Sequence, residues 1–313
     1  MKTFRVFLVL ATTVVAFCSG SLLAQQSPGG NGVPVHMVVT AESRHGENPG
    51  VINQQDVMVL EGKERDTVTN WEPAQPDQSP LELFMLLDDG SSASLGSQLA
   101  DIRQFIAEQP AAVKIGVAYM QNGIGRIEQN LTTDHDQAAK ALRLPLGSPG
   151  VNASPYISLS DLIKRWPEST ARREVFMVTD GVDRLYGAGD FQNPYLESAI
   201  SDAQREGVIV FGVYTPGVGH LAHSYWMNYW GQLYLSQLAE ETGGEAYYIG
   251  FTGAAVSFSP YLDDLAHRLR HQYLLTFLAK PQKKAGAQKV RVTTEVAGVD
   301  LVAPKSVYVP ASQ

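Results

Sequence analysis

Cysteine is almost missing from this 313-residue sequence, where Cys18 stands alone. Loss of the first 24 residues would leave no thiol, which excludes disulfides, thiolate metal sites and cysteine nucleophiles. Long apolar runs are also lacking beyond residue 17, so no later segment is built to cross a bilayer as a helix. Basic residues are the minority, with 24 Lys and Arg against 32 Asp and Glu and a formal charge of −8. Nucleic-acid binding draws its affinity from clustered Lys and Arg, so a polyanion partner is not expected. Two catalytic signatures are missing as well. No serine lies in a Gly-x-Ser-x-Gly elbow, and no Gly-x-x-x-x-Gly-Lys loop is present to cradle phosphate.

What is present begins with a targeting pattern. Lys2 and Arg5 precede an apolar stretch over residues 6–17, and Ser21-Leu22-Leu23-Ala24 offers a small residue for cleavage before Gln25. This reads as a signal peptide over residues 1–24, with export to the periplasm or the cell exterior. Phe17 stands where a lipoprotein needs a small residue before Cys18. Removal of the segment takes Lys2 and Arg5 with it and lowers the formal charge to about −10.

Residues 33–72 carry strand signals: Val35-His36-Met37-Val38-Val39-Thr40 alternates, and Val57-Met58-Val59-Leu60 runs into a Glu61-Gly62 turn. The pattern changes after Pro80. Strand-like runs at residues 83–87, 114–120, 175–179, 208–215 and 245–249 alternate with helical periodicity at 95–108, 135–142, 156–166, 194–206 and 234–241. Such alternation implies a mostly parallel sheet covered by helices on both faces, here over residues 80–272. Residues 126–132 follow an Asn122-Gly123 turn and are expected as an antiparallel edge strand. After a helix at 261–271, strands resume at 273–279, 289–296 and 301–309. Neither terminal strand group has the apolar area to stand alone, so residues 33–72 and 273–310 are expected to pair into one small β module.

Two acidic residues end apolar runs, in Leu86-Leu87-Asp88-Asp89-Gly90-Ser91-Ser92 and Val178-Thr179-Asp180-Gly181. Open α/β sheets place their ligands at the C-terminal ends of such strands. Carboxylates and hydroxyls without a strong base suit a hard cation better than catalysis. Asp88 and Asp89 are neighbours on a strand and point to opposite faces, so they cannot converge as a glycosidase pair. An enzyme is not expected.

Together with Leu238-Ala239-Glu240-Glu241-Thr242-Gly243-Gly244-Glu245-Ala246, residues 265–273 and Val290-Arg291-Val292, these motifs resemble a von Willebrand factor type A (VWFA) domain. The closer similarity is to the secreted VWFA-related proteins described mainly from acidobacterial sequences, and it covers residues 35–310. The resemblance implies a doubly wound six-stranded sheet of order 3-2-1-4-5-6. It also implies a metal-ion-dependent adhesion site holding Mg²⁺ or Mn²⁺ and binding an acidic side chain of a protein partner. The family pattern is Asp-x-Ser-x-Ser, a Thr in a second loop and an Asp in a third. Aligned on Asp88 the chain supplies Asp88, Gly90 and Ser92; aligned on Asp89 it supplies Asp89, Ser91 and Ala93. Hydrophobic register favours the first alignment. Ser154 falls at the second loop and Asp180 matches the third, so the expected ligands are Asp88, Ser92, Ser154 and Asp180, with Asp89 and Ser91 as alternates. Their other role is to cap loops and the following helix. A metal-independent structural or envelope-assembly module with a degenerate site is the alternative function.

Four aromatics, Tyr225, Trp226, Tyr229 and Trp230, fall in what reads as a loop between the fifth strand and its helix. They can anchor a partner or cover the end of the sheet. His267 and His271 are four apart on a helix flanked by Arg268 and Arg270, which reads as a solvated basic face. His220 and His223 lie in a Gly-rich loop without a nearby carboxylate. Asn130-Leu131-Thr132 and Asn152-Ala153-Ser154 fit the glycosylation acceptor pattern.

Overall fold

In the computed structural model, the described residues are 32–44, 48–75, 79–91, 93–148, 150–187, 189–190, 192–215, 224–248 and 256–311. The segment expected as a signal peptide, Ser92, His220 and His223 lie outside them. The described residues form one compact unit.

The chain opens with three strands, β1 (Val33–Ser43), β2 (Val57–Glu61) and β3 (Glu64–Pro73). Next come β4 (Leu81–Asp88), α1 (Gln98–Glu108), β5 (Lys114–Gln121), β6 (Ile124–Thr132), α2 (His135–Lys140) and α3 (Pro155–Arg165). Then follow β7 (Arg172–Thr179), α4 (Pro194–Glu206), β8 (Val208–Tyr214), α5 (Tyr225–Thr242), β9 (Ala246–Tyr248) and α6 (Ser259–Arg270). The last strands are β10 (Gln272–Ala279), β11 (Gly286–Lys289), β12 (Arg291–Thr294), β13 (Val299–Val302) and β14 (Ser306–Val309).

The central sheet has the order β6-β5-β4-β7-β8-β9. Renumbered within this sheet, that is 3-2-1-4-5-6. All pairs are parallel except β5 with β6, which the Asn122-Gly123 turn reverses. Both turn residues have positive φ, 53° and 74°, as a tight two-residue hairpin requires. Every residue of β4 is buried, because helices cover both faces. Leu83, Met85 and Leu87 pack towards α1 and α6, while Phe84 and Leu86 pack towards α3, α4 and α5. Each such side chain, fully buried, contributes about 1.5–3 kcal/mol through removal from water.

The terminal strands form a second sheet of order β12-β2-β3-β10-β1-β13, with a core of its own that includes Val39, Val59, Trp71 and Phe277. Strands from the two ends of the chain interleave in it. Two strands expected at 289–296 and 301–309 are each divided. Around Val290 the chain changes partner: β11 pairs with β14 in a separate ribbon, and β12 pairs with β2. Pro304, which has no N–H to give a ladder, separates β13 from β14. α5 begins nine residues earlier than its expected start, so the aromatic segment is helical. Ser224 caps it by accepting from the Met227 N–H, a start signal hidden behind the run of bulky rings.

Candidate functional site

Parallel pairing of β4 with β7 sets Leu87 opposite Val178 and brings the ends of these two strands together. The connection direction reverses between them, which opens a crevice at the C-terminal edge. Asp88 closes β4 there and Asp180 follows β7. Both are buried. The Thr179 hydroxyl donates to Asp88 Oδ2 at 2.8 Å, and the Gly90 N–H donates to Asp88 Oδ1 at 2.7 Å. Burial first, then the nearby Asp180 charge, push the Asp88 carboxyl up to about 6. Thr179, Gly90 and Arg184 act in the opposite direction.

Asp180 is held by its own loop. The Val182 N–H donates to Oδ1 at 3.0 Å, and Arg184 donates from Nη1 to Oδ1 at 3.3 Å and from Nη2 to Oδ2. Arg184 is itself largely buried, and its charge also acts on Asp88. The cation beside the two acids is thus a guanidinium supplied by the chain, paired directly with Asp180. The loop has little freedom to shift. Gly181 has φ 65°, and a Cβ on it would lie 2.2 Å from the Gly231 oxygen of α5. A Cβ on Gly231 would lie 2.1 Å from the Asp180 oxygen. Two glycines therefore let loop and helix touch backbone to backbone. From the other side, the buried Tyr156 hydroxyl donates to the Gly181 carbonyl at 2.6 Å.

The other candidate ligands go elsewhere. Ser154 caps α3 and donates its hydroxyl to Asp183 Oδ2 at 2.9 Å. Asp183 also accepts from the N–H groups of Leu185 and Tyr186 and from Asn193 Nδ2, so it organises the loop that carries Arg184. Asp89 points away from Asp88, as strand alternation requires. It makes a bidentate pair with Arg143 at 2.6 and 2.8 Å, and that guanidinium lies 3.8 Å over the Tyr119 ring. Ser91 is buried, and its hydroxyl has no hydrogen-bond partner among the described residues.

As arranged among the described residues, Asp88, Ser154 and Asp180 do not fit a divalent ion. Mg²⁺ requires six oxygens near 2.1 Å and keeps several waters. All four carboxylate oxygens of Asp88 and Asp180 already accept hydrogen bonds, and the Ser154 hydroxyl is committed to Asp183. The cavity bordered by Asp88, Ser154 and Arg184 measures about 10 Å³, room for one water at most. A larger cavity of about 740 Å³ lies at the opposite edge of the sheet, near Leu81, Val113 and Arg172 at the strand starts.

Of the four aromatics, three are exposed: Tyr225 at 73 %, Trp226 at 55 % and Tyr229 at 45 %. Trp226 and Tyr229 stack with ring centroids 6.2 Å apart. Trp230, expected among them as a partner-binding residue, is instead 3 % exposed and packs on Tyr234 in the core. Helical geometry is the reason: Trp230, Tyr234 and Leu238 share the face turned to the sheet. Leu185 and Tyr186, on the Arg184 loop, add two more exposed apolar side chains.

Arg184, Thr179 and Asp183 are the site residues that the motif pattern passes over. Their signal was local: Thr179-Asp180-Gly181-Val182-Asp183-Arg184 offers acids, a hydroxyl and a cation in six consecutive residues. Elsewhere, the His267 and His271 rings lie 4.1 Å apart, and His271 Nδ1 hydrogen-bonds the His267 carbonyl oxygen at 2.8 Å. Among the described residues, no group of three or more His, Cys, Asp or Glu could hold a metal. Among the described residues, no helix is long and apolar enough to cross a membrane.

No protein-family model and no curated protein matches the chain. Solved structures do. A von Willebrand factor type A protein from Catenulispora acidiphila is 10% identical with a TM-score of 0.44, covering 92% of this chain and 76% of that one. An aerotolerance-related membrane protein from Bacteroides fragilis is 13% identical with a TM-score of 0.44, covering 60% and 98%. The manganese-loaded TRAP protein of Plasmodium vivax is 12% identical with a TM-score of 0.35, covering 78% and 98%. The fold is doubly wound α/β, with the sheet order that the VWFA resemblance implies.

Proposed function

We propose that this chain is an exported, non-enzymatic protein-interaction module of the VWFA type that binds its partner without a metal ion. The carrying observation is the Arg184 guanidinium paired with both carboxylate oxygens of Asp180, the acid that a divalent ion would need as a ligand. Contact with the partner falls to the rim beside it, where Tyr225, Trp226 and Tyr229 project from the first turns of α5. Large rings held on a helix make low-entropy anchors, and Tyr and Trp dominate the energetics of protein interfaces. The acidic balance of the chain is compatible with a protein partner and disfavours a polyanion.

The test is retention of a partner from envelope or extracellular extract on the immobilised chain. Retention that survives chelator and is lost in Trp226→Ala supports the reading. Retention abolished by chelator and indifferent to Trp226 overturns it.

One observation favours a second reading, metal-dependent adhesion through Asp88, Ser92, Ser154 and Asp180, with an acidic partner side chain completing the coordination of Mg²⁺ or Mn²⁺. The buried Ser91 hydroxyl lacks a partner next to these ligands in sequence. A polar atom without a partner costs about 1–3 kcal/mol, which a ligand could recover.

A further inference from the structure

We infer that Arg184 is the resident cation of the acidic crevice and is what keeps divalent metal out of it. The inference deepens the metal-independent reading above and rests on it. Two carboxylates buried this close repel unless positive charge lies between them. Here Asp180 accepts from both Nη atoms of Arg184, and the same guanidinium pulls on Asp88.

The pairing is built into the chain rather than assembled from solution. Arg184 follows Asp180 by four residues in a loop fixed at three points. The Arg184 N–H donates to the Ala153 carbonyl at 2.9 Å. Asp183 accepts from Leu185, Tyr186, Ser154 and Asn193. Tyr156 holds Gly181. A metal entering the crevice would have to displace a tethered charge that pays no translational entropy to stay. It would also need to draw the Ser154 hydroxyl away from Asp183. The planar fork of an arginine matches a carboxylate in a way that an ammonium group cannot, so Arg184 sets geometry as well as charge.

Removal of the guanidinium should convert the crevice into a cation site. The probe is Mn²⁺ alone, added to the purified chain, with the free-ion electron paramagnetic resonance signal and the melting midpoint as readouts. The unaltered chain is expected to leave the Mn²⁺ signal at its free intensity and to melt at the same temperature in Mn²⁺ and in chelator. Arg184→Gln is expected to quench the signal saturably. Its melting midpoint should rise by about 5 °C or more at metal a hundredfold above its dissociation constant. Both responses should vanish when Asp180→Asn is added.

Saturable Mn²⁺ binding by the unaltered chain that is lost in Asp180→Asn would overturn the inference. So would Arg184→Gln that folds and gains no metal. If Arg184→Gln does not fold, Arg184→Met takes its place, since it fills the same space without charge; a folded Arg184→Met that gains no Mn²⁺ would overturn the inference equally. No partner enters these measurements, so they can fail while chelator-resistant retention stands, and the reverse.

Discussion

Replacing Glu174 by glutamine should flatten the pH dependence of stability between about pH 4.5 and 7. Glu174 lies near the start of β7, is fully buried, and neither carboxylate oxygen has a hydrogen-bond partner among the described residues. Its one charged neighbour, Arg172, is 3.9 Å away and is engaged with the Ser79 and Leu269 carbonyls and the Gln272 side chain. Burial therefore wins over the attraction of Arg172 and of the nearby Gln272 amide, and raises the carboxyl from 4.5 to about 7. A carboxyl raised on folding keeps its proton when the unfolded chain has lost it. Its stabilising contribution is complete below the unfolded value and fades as pH climbs to the folded one. At 1.36 kcal/mol per unit, the loss across that window is about 3 kcal/mol. Urea denaturation at pH 5 and pH 8 measures it. Wild-type stability should fall between the two, and Glu174→Gln should lose most of that slope. The variant also leaves Arg172 without its acid, but this shifts both pH values alike and leaves the slope untouched. An equal slope in wild type and variant would refute the reasoning.

The remaining predictions are compact. Trp230→Ala should destabilise the fold by about 3–5 kcal/mol, whereas Trp226→Ala should leave the melting midpoint nearly unchanged and weaken partner retention; calorimetry and pull-down separate the two. Arg143→Ala should cost about 3 kcal/mol by stranding the buried Asp89 carboxylate, and Asp89→Asn in that background should recover part of it in denaturant titrations. Gly231→Ala should force the Asp180–Gly181 backbone away from α5, lowering the melting midpoint and shifting the Tyr156 and Asp180 signals in NMR spectra. Asp88→Asn should remove the share of the pH dependence that lies between about pH 4 and 6, since the Asp88 carboxyl is also raised on folding.

The alternation of strands and helices was legible because β4, β5, β7 and β8 have apolar centres and are punctuated by helical segments with caps, such as Asn193 before Pro194, whereas the strand order came from the VWFA resemblance. Asp88 and Asp180 stood out because each ends such a run. Arg184 did not. Its role depends on a loop folding back through Asp183, and no periodicity encodes that path. The start of α5 was hidden for a different reason. Apolar residues at Tyr225, Trp226, Met227, Trp230, Tyr234 and Leu235 spread round the helix, which blurs the stripe that marks an amphipathic one. Hydroxyl allegiance was equally illegible: Ser154 could serve a metal, a helix end or an acid, and only the position of Asp183 decides.

The interleaved second sheet sets the timetable on which this protein can be finished. β1 lies between β10 and β13, with Val33 opposite Ala279 and Thr40 opposite Val302. A chain synthesised or threaded from its N-terminus holds its first strand waiting, edges bare, until nearly the whole sequence has emerged. The α/β half can close on local crossovers meanwhile, and the slow, long-range pairing comes last. Clipping either end would then leave the opposite end without a seat, so two distant stretches of sequence stand or fall as one.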